Sequence, residues 1–151
     1  MAAAPGCWAA FGELQADETA RFGYPPMHGL AVDAYATSHG GDGVDRRDRQ
    51  SVCIHLMALC AVIERDETAA GRIALLQRLT ARKLQWPALE RRDGVPALDH
   101  THVAGAADLE DHGERVRAWA GAVWSFWANE HARISELLDA SPQRSTRRRH
   151  G

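Results

Sequence analysis

Lysine is almost missing from this chain: Lys83 is the only one, and every other basic side chain is an arginine. The skew fits the codon bias of a GC-rich genome and carries no functional weight. Cysteine is scarce. Cys7, Cys53 and Cys60 make an odd count with no CxxC pair. Cys53 and Cys60 lie about 10 Å apart along one expected helix, too far for a disulfide. That usage reads as a reduced, cytoplasmic protein. The start, MAAAPGCWAAFGEL, has neither a basic cluster nor a long apolar run, so no signal peptide is expected. The longest apolar stretch, Val52 to Ile63, is interrupted by His55 and is too short to span a bilayer. Net charge is only -2 at pH 7, so no global field draws the chain to nucleic acid or an anionic membrane. Strand-period segments and internal repeats are also lacking.

Several signatures of chemistry are missing as well. No HxxxH, HExxH or Glu-x-x-His occurs, and there is no GxSxG. The Gly-rich loop 40–47 follows a helix rather than a strand and has no GK[ST], which rules out a phosphate-binding loop. Cys53 and His55 are close in sequence but about 200° apart around a helix, so they do not form a nucleophile–base pair.

What remains is helical periodicity. The chain has 151 residues, 45% hydrophobic and 25% charged, which suits one globular domain with its own core. A first helix runs from about Trp8 to Phe22, with Cys7, Phe11, Leu14 and Phe22 inward. Glu18 falls on that face as a partly exposed rim carboxylate. A second spans about Pro26 to His39, ended by Gly40-Gly41, with Gly40 placed for a left-handed cap. A third runs from about Asp48 to Arg65, striped by Val52, Leu56, Leu59 and Ile63. Asp66 then caps a fourth, striped by Ile73, Leu76, Leu79 and Lys83, with Leu75 beside them. Residues 86–107 form a surface connection whose His100, His102 and Asp99 read as polar loop. The last helix starts at Asp108 and continues to about Ala140, with Gly113 and Gly121 as interruption points. The expected architecture is an all-α bundle of four to five mostly antiparallel helices. Residues 1–140 form the single helical domain. Residues 141–151 form a disordered basic tail that reads as solvated rather than as a nucleic-acid contact.

Ionisable groups fall on core-facing positions of these helices. Glu18, His28, His55 and Glu130 come from different helices, with His131 toward the edge of the last one. Carboxylates and imidazoles converging in a bundle core suit a divalent metal, whether zinc, iron, manganese or nickel. With the second and third helices antiparallel, His55 lies level with Val32 or Asp33. Asp33 points about 140° away from the His28 face. It serves as an orienter of His55 or as a base. Otherwise the same groups hydrogen-bond one another inside a purely structural core.

The order PGCWAAFGEL, HGLAVDAYATSH, QSVCIHLMALC and RAWAGAVWSFWANEH resembles a bacterial family catalogued as domain of unknown function 5946, over nearly the whole chain to about Leu138. The resemblance carries over Cys7, Trp8, Glu18, His28, Asp33, Tyr35, His39, His55, Trp119, Trp124, Trp127 and His131. Longer members have a CPxCG-like pair ahead of this start, and any metal held there is absent here. Adjacent histidines stand where this chain has Glu130-His131. The family implies no activity.

Two functional readings follow. One is a small metal-binding helical protein, open to metal-activated water chemistry or thiol transfer. The other is a non-catalytic interaction module. Trp119 and Trp124 are about 140° apart on one helix, so one of them is expected outside the monomer core, at a homodimer interface.

Overall fold

The computed structural model describes residues 5–23, 27–40, 45–81 and 84–141. Expectations for residues 24–26, loop residues 41–44, Lys83, the side chains of Cys7 and Trp8, and the tail 142–151 lie outside the described residues. In order, the helices are α1 (Pro5–Phe22), α2 (His28–His39), α3 (Arg46–Arg65), α4 (Ala69–Thr80), α5 (Leu109–Phe126) and α6 (His131–Ala140). Single 3-10 turns at His100–His102 and Ala128–Glu130 precede α5 and α6. No strand occurs among the described residues. The class is all-α, and no helix there is long and apolar enough to cross a membrane.

The central element is α3, which packs against α2, α4, α5 and α6. From Val52 to Ala61 every residue except His55 is buried. Asp45 starts α3 by accepting a hydrogen bond from the Arg47 amide at 2.9 Å, the usual way to satisfy an orphan N–H at a helix start. Asp66 ends α3 in a left-handed conformation, φ 52°, rather than starting α4. Thr68 is the cap of α4, its hydroxyl accepting from the Gly71 amide at 3.0 Å.

The stripe expected on α4 holds at Leu79 and at the neighbouring Leu75 but fails at Ile73. Ile73 is 53% exposed, while Leu75, Leu79 and Arg72 face the core. Apolar residues at 73, 75, 76 and 79 allow two stripes. The ion pair of Arg72 described below goes with the one observed.

The last long helix is two helices. Asp108 begins α5 as expected, accepting from the Asp111 amide at 2.8 Å. Gly113 and Gly121 lie within continuous helix. The break comes after Phe126. There the Trp124 carbonyl accepts from the Trp127 amide at 3.1 Å and from the His131 ring at 2.7 Å. A carbonyl taken by these two donors marks the tightened turn between α5 and α6.

The C-terminus of α2 is fixed from outside the helix. Arg91 donates to Gly40 O at 3.0 Å and to Ser38 O at 2.9 Å, and the Trp127 indole donates to Thr37 O at 3.0 Å. These satisfy carbonyls that a helix end leaves open. Gly40 is extended, φ -87°, not left-handed. Its lack of a side chain matters for space. A β-carbon there would come 2.5 Å from the Val52 side chain, so glycine allows α3 to approach α2.

Candidate functional site

Helix α2 packs against α3 on one side and α5 on another. Residues about 140° apart on it therefore both meet protein. Asp33 is fully buried, at 0% exposure. Its carboxylate accepts from Arg72 Nε and from a terminal Arg72 nitrogen, each at 2.6 Å, one on each oxygen. Such a two-point guanidinium–carboxylate pair is the strong form of a charged hydrogen bond. The same Oδ1 lies 2.7 Å from His55 Nδ1. Both carboxylate oxygens are acceptors toward Arg72, so the imidazole nitrogen is the donor. In the neutral ring this leaves the lone pair on Nε2.

The His55 side chain is 21% exposed. It lines a groove of about 380 Å³ between α3 and α4, with Arg47, Ser51, Ile54 and Leu76 among its walls. The ring is thus held at Nδ1 by a buried acid and faces open space elsewhere. Oriented in this way, an imidazole can take or give a proton at Nε2 to a molecule in the groove.

A second buried carboxylate sits elsewhere. Glu18 is 2% exposed, which replaces the rim position expected for it. His112 Nε2 on α5 lies 2.7 Å from Glu18 Oε1, and His28 Nδ1 on α2 lies 3.4 Å from Oε2. His112 is itself 1% exposed, and its Nδ1 has no hydrogen-bond partner among the described residues. Glu18 therefore ties α1 to both α5 and α2. Beside it, Phe11 stacks on Tyr35 with ring centroids 4.1 Å apart.

The candidate metal ligands, His28 and His55 with one of Glu18, Glu130 or His131, are distributed over separate places. Glu18 and His28 meet each other, and His55 meets Asp33 instead. Glu130 is 7% exposed, and its Oε2 has no hydrogen-bond partner among the described residues; its nearest cation is Arg133, at 3.7 Å. His131 stacks on Trp124 at 3.8 Å and donates to the Trp124 carbonyl. Among the described residues, no three histidine, cysteine, aspartate or glutamate side chains are grouped to hold a metal ion.

A family model described as a family of unknown function, DUF5946, matches residues 1–128. The chain belongs to this family. Neither a curated protein nor a solved structure matches it.

Within this DUF5946 chain, Trp119, Trp124 and Trp127 are all buried. The Trp124 indole donates to Glu64 at 2.7 Å, so its ring is used inside the chain. His39 packs on Tyr35 with centroids 4.7 Å apart. Burial, with the charges of His100 and Arg91, holds its pKa below the ordinary value. Burial raises the thiol pKa of Cys53 to about 12, with Glu130 adding to the effect. Cys60 is raised by burial too. Neither thiol suits nucleophilic work, which needs the thiolate.

Sequence reasoning missed Arg72 and His112. Both had a signal. Arg72 stands three and seven residues before Leu75 and Leu79. His112 stands four residues before Val116, at the head of the strongest apolar stripe in the chain.

Proposed function

We propose that the protein is a small-molecule acid–base enzyme with His55 as the proton-transferring group. One observation carries the reading. The His55 ring is oriented through Nδ1 by Asp33, at 2.7 Å, while the ring borders a groove large enough for a small substrate. A purely structural histidine has no need to border such a groove. Of the two roles expected for Asp33, orienter or base, full burial supports the first. Asp33 is a positioning residue, and Arg72 holds it.

A resident metal is not part of this proposal. Two of the buried carboxylates already have protein donors, Asp33 from Arg72 and His55, Glu18 from His112 and from His28 at longer range. A dimer seam at Trp124 is not part of it either, because that ring is packed within the chain.

The test is a turnover screen on aryl esters, phosphate esters and lactones, comparing wild type with His55→Gln. Proton transfer by a positioned group is worth about 10²–10⁴ in rate. At least one class should be turned over and should lose that factor in the variant. Equal background rates for both proteins across the panel would end the enzymatic reading.

A further inference from the structure

Arg47, Ser51 and His55 recur every four residues along α3 and all line the same groove. At this spacing they share one helix face, about 6 Å apart per step, so Arg47 and His55 are about 12 Å apart along the axis. Ile54 and Leu76 supply the apolar wall between them. The groove volume, about 380 Å³, falls within the range of small-molecule sites, about 300–1,000 Å³.

The charges are one-sided. None of the described residues lining this groove is a carboxylate. The Arg47 guanidinium makes no hydrogen bond or ion pair among the described residues; only its backbone amide is engaged, by Asp45. The cavity beside Arg72 and Arg117 differs, because Asp66 and Glu67 line it as well. A lone arginine at the end of an apolar groove favours an anion, and it does so more strongly where the walls exclude water.

We infer that the groove binds a small organic anion. Its carboxylate or phosphate is held by Arg47, its apolar body lies on Ile54 and Leu76, and its far end reaches His55. Ser51 stands midway, where a hydroxyl can serve a polar group of the ligand. The inference rests on the proposed function in taking the His55 groove as the working site.

The experiment compares three probes on the full chain: phenylbutyrate, phenethyl phosphate and the uncharged phenylbutanol. Binding is followed by calorimetry and by backbone amide shifts. Either or both anions should bind at least ten-fold tighter than the alcohol, with shifts along α3 and at Leu76. The tighter anion identifies carboxylate or phosphate as the preferred end. Arg47→Ala should abolish the preference, and Arg47→Lys should keep part of it. Equal binding of alcohol and anions, a preference untouched in Arg47→Ala, or no binding of any probe would overturn the inference. His55→Gln separates this inference from the proposed function. Anion binding that survives in that variant, with no wild-type turnover of any substrate class, would remove the acid–base reading alone. Turnover that depends on His55 without anion preference would remove the ligand class alone.

Discussion

The Arg72 guanidinium fills the space that a side chain at Gly29 would need. A β-carbon at position 29 would stand 2.4 Å from the nearest Arg72 nitrogen, well inside contact distance. The absent side chain on α2 is thus what lets α4 send its arginine across to Asp33, one turn further along α2. Gly29→Ala should push the guanidinium off the carboxylate. Overpacking of this kind costs about 1–3 kcal/mol, read as a lower urea midpoint. The same variant should disturb the His55 ring resonances, although His55 lies on another helix.

Glu18 joins three helices through His112 and His28, and no ion is invoked to hold it. Glu18→Ala leaves His112 buried with neither ring nitrogen bonded and should cost about 1–3 kcal/mol. A chelator should leave the melting temperature of the wild type unchanged. A clear drop on chelation, or stoichiometric metal in purified protein, would favour a metal-held core instead.

Much of this arrangement was legible in the sequence, and the gaps have physical reasons. Helical rise places His55 level with Val32 or Asp33, because two antiparallel helices joined by a short loop fix relative depth. The all-α class followed from the same periodicity. Bringing His28 and His55 together with one of Glu18, Glu130 or His131 takes each helix to have one inward face. Helix α2 has two covered faces, so His28 and Asp33 meet different neighbours. Counting only apolar residues also hid Arg72 and His112. Each lies in helical phase with apolar residues, and each is buried because a carboxylate waits opposite.

Cys53 and Cys60 are buried, and both thiols are pushed up in pKa, Cys53 to about 12. In a Cys7→Ser background the folded protein should not react with Ellman's reagent over minutes. Two thiols should appear on unfolding in guanidinium. Rapid labelling of the native protein would show that α3 is less closed than described.

His39 gives the acid response a sign. Its folded pKa lies below the ordinary histidine value of 6.5, so the unfolded chain takes up that proton first. The contribution of His39 is fully present above about pH 6.5 and is lost as pH falls through the lower folded value. His39→Gln should therefore show a shallower fall in melting temperature than wild type between neutral and mildly acidic pH. Its partial exposure keeps the difference small.

The most direct test is nitrogen NMR of the His55 ring at neutral pH and above. Where the ring is neutral, the account predicts its proton on Nδ1, toward Asp33, and an Nε2 whose signal responds when a ligand enters the groove. In Asp33→Asn that single tautomer should give way to a mixture. A wild-type ring with its proton on Nε2, or one that is indifferent to Asp33, would contradict it.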